Sequence, residues 1–136
     1  MTLTHLLLLL AGILAVWLLL GIAIRYGYRA PRHIEQGTPQ QFGLPYRHIS
    51  LSSVNGKQLF SWYLPVEGSE KPVPAVVIMH GWGGNAEMML PLARPLHAAG
   101  FAVLLVDARN HGQSDSDTFS SMPRFAEDMA SGLDWL

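Results

Sequence analysis

At 136 residues the chain has room for one small domain, and a net charge of −1 at pH 7 excludes a nucleic-acid binder built on a basic face. It contains no cysteine, which excludes disulfides, thiolate metal sites and a cysteine nucleophile. The composition, 49% hydrophobic against 14% charged, is apolar for a water-soluble domain, and the excess sits in the first two dozen residues.

After a short flank at residues 1–5, Leu6 to Ile24 carries no charge and is long enough, at helical rise, to cross a hydrocarbon core of roughly 30 Å. The run lacks a polar face, unlike the buried helix of a soluble domain. It also lacks the basic flank and exceeds the usual apolar length of a cleaved signal, so the sequence predicts a membrane helix over residues 6–24. Arg25, Arg29 and Arg32 follow at once, and the positive-inside rule then places the carboxyl side in the cytoplasm. The expectation is a single-pass membrane protein that meets the lipid bilayer through residues 6–24, with a cytoplasmic domain. Tyr26 and Tyr28 suit an interfacial aromatic belt, and the basic cluster by itself calls for no special lipid ligand.

Residues 25–46 read as a juxtamembrane linker, because Pro31, Gly37, Pro39, Gly43 and Pro45 break helices and favour an extended tether. The domain proper is assigned to residues 47–136. His48 to Ser53 and Gln58 to Val66 form an antiparallel pair across Asn55-Gly56, a dipeptide suited to positive φ angles. Ala75 to Met79 is an apolar strand of the kind buried on both faces of a parallel sheet, and it runs into His80-Gly81-Trp82-Gly83-Gly84-Asn85. Glycines at 81, 83 and 84 let the main chain turn tightly and approach a ligand, with N–H groups turned toward developing negative charge. Trp82 is the predicted backbone oxyanion donor, and Gly81, Gly83 and Gly84 are the predicted substrate-binding turn.

Asn85 caps a first turn, the helix body starts at Pro91 and Gly100 ends it, with Leu92, Leu96 and Ala99 toward the sheet and Pro95 kinking the axis. Phe101 to Val106 completes a βαβ unit, parallel to the 75–79 strand with a right-handed crossover. A polar loop over Gln113 to Ser121 leads to a second helix with Phe125, Met129, Leu133 and Leu136 along one stripe. No helix-ending residue follows that stripe, so the chain reads as cut within the fold.

The turn His80-Gly81-Trp82-Gly83-Gly84 is similar to the His-Gly-X turn of α/β-hydrolases, and Asp107-Ala108-Arg109-Asn110-His111-Gly112-Gln113-Ser114 resembles that family's Asp-x-Arg-Gly-His-Gly-x-Ser loop. Asn110 replaces a glycine there, a mild change because asparagine tolerates the left-handed conformation. The resemblance implies an α/β fold: the amino-terminal part of an α/β-hydrolase sheet, made of an antiparallel hairpin, one βαβ unit and a following helix, preceded by a transmembrane helix and apparently truncated. It makes the hairpin the first two strands and residues 68–74 the loop into the central strand.

The implied activity is a serine hydrolase that cleaves a small acyl substrate, an ester, thioester or amide, through an acyl-enzyme and without a cofactor. The family's Gly-x-Ser-x-Gly elbow is absent here, as are the acid and base that follow it, so nucleophile, acid and base are expected outside these residues. Gly112-Gln113-Ser114-Asp115-Ser116 lacks the final glycine and an immediately following helix, and Ser114 reads as a loop serine bonded to nearby backbone. His80, Asp107, Arg109 and His111 read as loop braces. His80, His97, His111, Asp115 and Asp117 lack metal-ligand spacing, so no metal site is expected. Two alternatives stay open: a non-catalytic membrane-anchored binding protein with a degraded hydrolase fold, and a non-hydrolytic relative such as a dehalogenase with an aspartate nucleophile.

Overall fold

The computed structural model describes residues 2–68 and 72–136. Helix α1 spans Leu3–Gly27, capped by Thr2, whose side chain accepts from the His5 N–H. No residue of α1 is buried, and by length and composition alone it is long and apolar enough to cross a membrane. Residues 29–38 carry no helix or strand, as their proline and glycine content predicts, yet Ala30, Pro39 and Leu44 are buried on the domain. The segment expected as a tether therefore packs.

Strands β1 (Arg47–Ser53) and β2 (Lys57–Leu64) pair antiparallel, with Ser53 opposite Lys57 across the turn. Asn55 (φ 62°) and Gly56 (φ 67°) both take the left-handed conformation that closes this turn. Strand β3 (Ala75–Met79), helix α2 (Leu90–Ala98) and strand β4 (Ala102–Val106) follow, and helix α3 covers Met122–Trp135. The predicted connection at 68–74 falls partly outside the described residues, at 69–71.

The sheet order is β1-β2-β4-β3, with β4 parallel to β3 and antiparallel to β2. All five residues of β4 are buried, because it has a strand on each side and a helix over each face. Val103 and Leu105 point into a core with Trp62, Leu64, Leu90 and Ala93 under α2, and Leu104 and Val106 into a second core with Leu51 and Leu59. Strand β3, expected to be buried on both faces, is half-buried, since among the described residues it has a neighbour on one side only.

Helices α2 and α3 each keep part of the face the sequence pattern suggested, Leu96 in α2 and Phe125 in α3, and depart from the rest of it. In α2 the buried row is Leu90 and Ala93, with Leu96 packed beside it, while Leu92 is 53% exposed. Two rows cross at Leu96, and the one carrying the small Ala93 lets the helix approach the sheet more closely. In α3 the buried residues are Asp128 and Gly132, whereas Leu133 is 60% exposed. A Cβ on Gly132 would stand 3.0 Å from Val77 Cγ1 and 3.4 Å from Val106 Cγ2, so the absence of a side chain sets the distance between α3 and the sheet. Gly132→Val is expected to destabilise the domain by about 1–3 kcal/mol through overpacking, and Leu133→Ser by roughly 0.5 kcal/mol or less. Thermal unfolding of the two variants in detergent checks the order.

Candidate active site: the turn after β3

Strand β3 ends at Met79, and His80 is buried directly behind it. Its Nδ1 lies 2.7 Å from the Gly81 carbonyl oxygen, and its Nε2 accepts the Ala108 N–H at 3.1 Å. The two contacts fix a tautomer with the proton on Nδ1. The Nε2 contact ties the end of β3 to the end of β4. Burial pulls the His80 pKa down, against the bond to Gly81, and keeps the ring neutral.

The Gly84 N–H then donates to the Gly81 carbonyl at 3.0 Å, closing a β-turn with Trp82 and Gly83 at its centre. Gly83 has φ 73°, the conformation the third residue of a type II turn requires. Added Cβ atoms would stand 2.9 Å from Pro31 Cγ at Gly83 and 2.9 Å from His80 Cβ at Gly84, whereas Gly81 faces open space. Among the described residues the Trp82 N–H makes no hydrogen bond, and its side chain is half-exposed, edge-on to His111 with ring centroids 6.0 Å apart.

Asp107 follows β4 and is fully buried. Oδ1 accepts the Ala86 N–H at 2.7 Å and Oδ2 the Gln113 N–H at 2.9 Å, so one carboxyl group joins the turn after β3 to the loop after β4. Gly112 must be glycine here, because a Cβ would overlap Asp107 Oδ2 and stand 2.7 Å from Glu35 Oε1. Glu35 Oε1 is buried and has no hydrogen-bond partner among the described residues. Burial, and then the Glu35 carboxylate, push the Asp107 pKa up to about 8.

Arg109 is buried and faces three acids. Its N–H donates to Asp128 Oδ2 at 2.8 Å, Nε lies 2.8 Å from Asp128 Oδ1 in an ion-pair contact off line for a hydrogen bond, and Nη2 bonds to Glu127. Nη1 reaches Asp117 Oδ2 at 3.5 Å. Burial opposes the guanidinium charge, but Glu127 and Asp128 outweigh it and hold the pKa above its ordinary value. Asn110 adopts φ 68°, the left-handed conformation expected for it, and its Oδ1 accepts the Asp117 N–H at 2.6 Å.

His111 Nδ1 lies 2.9 Å from the Arg109 carbonyl oxygen, while its Nε2 is buried without a partner among the described residues. The ring sits 4.9 Å from His80 and 5.2 Å from Phe125, and burial lowers its pKa. Ser114 Oγ donates to the Asp107 carbonyl at 2.6 Å and accepts the Phe60 N–H at 2.8 Å. Its hydroxyl is committed to the fold. Thus Trp82, His80 and His111 come together, with Asp107 and Arg109 behind them. His97 lies apart on the Pro65 carbonyl, Asp115 is held by the Gln58 N–H, and no group of metal-ligating side chains forms among the described residues.

Three participants escaped the sequence reading. Arg32 Nη1 donates to the carbonyls of Gly112 at 3.1 Å and Ser114 at 2.8 Å, and Glu35 Oε2 accepts from Gln113 Nε2 at 3.1 Å. Asp128 also receives the Ser53 hydroxyl at 2.8 Å. The helical spacing of Phe125, Asp128 and Gly132 carried a signal for the last of these, whereas nothing local distinguishes Arg32 and Glu35 from other linker charges.

A family model described as alpha/beta hydrolase fold matches residues 74–135, from just before β3 to the end of α3. Two uncharacterized proteins of Mycobacterium tuberculosis, from strains CDC 1551 and H37Rv, are each 32% identical over 90 residues, which cover 66% of this chain and 31% of theirs. A Pyrococcus furiosus esterase structure superposes with a TM-score of 0.70 at 24% identity, covering 80% of this chain and 40% of its own. A haloalkane dehalogenase of Agrobacterium tumefaciens gives 0.52 at 18% identity, covering 65% and 28%. The matched stretch thus spans about a third of the length of the curated relatives. These likenesses support the α/β-hydrolase superfamily, and the architecture is the amino-terminal part of that fold.

The raised Asp107 pKa means that the folded chain holds a proton the unfolded chain releases near its ordinary value of 3.8. Stability from this group is fully present below about pH 4 and is lost progressively as pH rises to about 8. Glu35→Gln removes the facing charge, so the melting temperature of the variant is expected to fall less than that of the parent over this range. Loss of the Glu35 charge also lowers the His80 pKa further, which works in the same direction, whereas the His111 contribution is common to both proteins.

Proposed function

We propose that this chain is the amino-terminal part of a membrane-anchored serine hydrolase that cleaves an ester, thioester or amide. The carrying observation is the Trp82 N–H, without a partner among the described residues, at the mouth of β3 in a turn held by His80 and Asp107. In the proposed reaction a serine Oγ, deprotonated by a histidine, adds to the substrate carbonyl. The oxygen that gains the electron pair is stabilised by the Trp82 N–H and a second donor. Collapse expels the protonated alcohol, thiol or amine, and water then hydrolyses the acyl-serine. Serine, histidine, acid and second donor belong to the remainder of the protein, in keeping with the 31% of the curated relatives' length that is matched. Helix α1 is proposed as a single-pass anchor, with Arg25, Arg29 and Arg32 placing the domain in the cytoplasm.

The aspartate-nucleophile reading keeps a foothold in the dehalogenase likeness, and the identity of the nucleophile separates the two.

Proline is favoured at the second position of a type II turn, so Trp82→Pro removes the N–H while keeping the turn, and Trp82→Ala removes only the side chain. In the whole enzyme Trp82→Pro is expected to lower kcat by about 10²–10³ relative to Trp82→Ala. Equal rates for the two variants would refute the oxyanion role. The 136-residue chain by itself is expected not to turn over a p-nitrophenyl ester, since Ser114 is hydrogen-bonded at both its donor and acceptor sides. Turnover abolished by Ser114→Ala would contradict this.

A further inference from the structure

A cavity of about 470 Å³ lies between the last turns of α1 and the loop after β4. Ile22, Arg25, Tyr26 and Arg29 line one side, Thr118 and Phe119 the other. The Ser120 N–H donates to the Tyr28 carbonyl at 3.3 Å and joins the two walls.

The charge in this cavity is unbalanced. Arg32, also in its lining, is held by the carbonyls of Gly112 and Ser114 and by Ser116 Oγ at 3.0 Å, none of which carries a formal charge. The acid in the wall, Asp117, is already shared between Arg109 and Arg124 and accepts the Thr118 N–H at 2.7 Å. The ion pairs of the described residues involve neither Arg25 nor Arg29. Among the described residues two guanidinium groups thus border the cavity without an ion-pair partner, and a third lines it, fixed by uncharged acceptors.

Its height matters as much as its charge. With Leu6 to Ile24 in the hydrocarbon, about 28 Å at 1.5 Å per residue, Arg25 begins the headgroup layer and Ile22 marks its inner boundary. We propose that this cavity binds the phosphate of an anionic phospholipid headgroup, with Arg25 and Arg29 as its ligands, Arg32 as a fixed positive charge in its lining, and Ile22, Tyr26 and Phe119 against the glycerol and upper acyl chain. A bound headgroup would hold the loop after β4 against the membrane surface. The assignment rests on α1 being a membrane anchor.

Flotation and lipid retention separate the two claims. The intact protein is expected to float with phosphatidylcholine vesicles, which tests the anchor alone. Released from micelles containing equal phosphatidylglycerol and phosphatidylcholine, it is expected in native mass spectrometry to retain phosphatidylglycerol preferentially. Arg25→Gln with Arg29→Gln should reduce that preference by roughly fivefold per charge removed, while Arg25→Lys with Arg29→Lys keeps most of it and both variants melt with the parent. Flotation with no lipid preference, or a preference indifferent to the glutamine variant, overturns the pocket and leaves the anchor standing. Failure to float overturns both. Displacement of the retained lipid by soluble glycerol phosphate at equal concentration overturns the lipid assignment in favour of a free phosphate ester.

Discussion

The carboxyl group of Asp107 is the constraint on which the site depends. It stands at the end of β4, the one strand whose five residues are all buried, and from there it receives the main-chain N–H groups of Ala86 and Gln113. The strand fixes the carboxyl, and the carboxyl fixes two loops. A buried carboxylate with two N–H partners is ordinarily held ionised. Here burial and Glu35 outweigh those bonds and push the pKa up to about 8, while Glu35, bonded to Gln113, ties residues 29–38 to the loop after β4.

Two further braces repeat this logic with different chemistry. His80 holds the turn after β3 through Nδ1 and joins it to the end of β4 through Nε2, and its neutral state follows from burial. Arg109 spans from the β4 loop to α3 through Asp128, and Asp128 continues to Ser53 at the end of β1. Pairs buried this deeply are poor sources of net stability, but breaking one leaves an uncompensated charge at a cost of about 3–5 kcal/mol. Their effect is geometric: the turn at Gly81–Gly84 is left with little freedom, and Pro31 packs against Gly83 from the linker side.

Much of the architecture was legible because the decisive signals were local. The apolar runs at 75–79 and 102–106, the Asn55-Gly56 turn and the glycines after His80 each specify backbone geometry over a few residues. The facing of the helices was not legible in the same way. Leu92 and Leu133 are as apolar as the residues that pack, and the sheet selected the rows containing Ala93 and Gly132, where small size permits close approach. Arg32 and Glu35 were invisible for another reason. Their partners lie about 80 residues away in sequence, and a charged residue between prolines carries no sign of such a contact.

The proposed oxyanion turn requires a serine nucleophile held elsewhere in the same domain. The most direct measurement is to treat the native, full-length protein with a fluorophosphonate probe and map the adduct by peptide mass spectrometry. A single labelled serine in a Gly-x-Ser-x-Gly context outside these 136 residues is expected. A label on Ser114, or an unlabelled protein that still turns over its substrate, would contradict it.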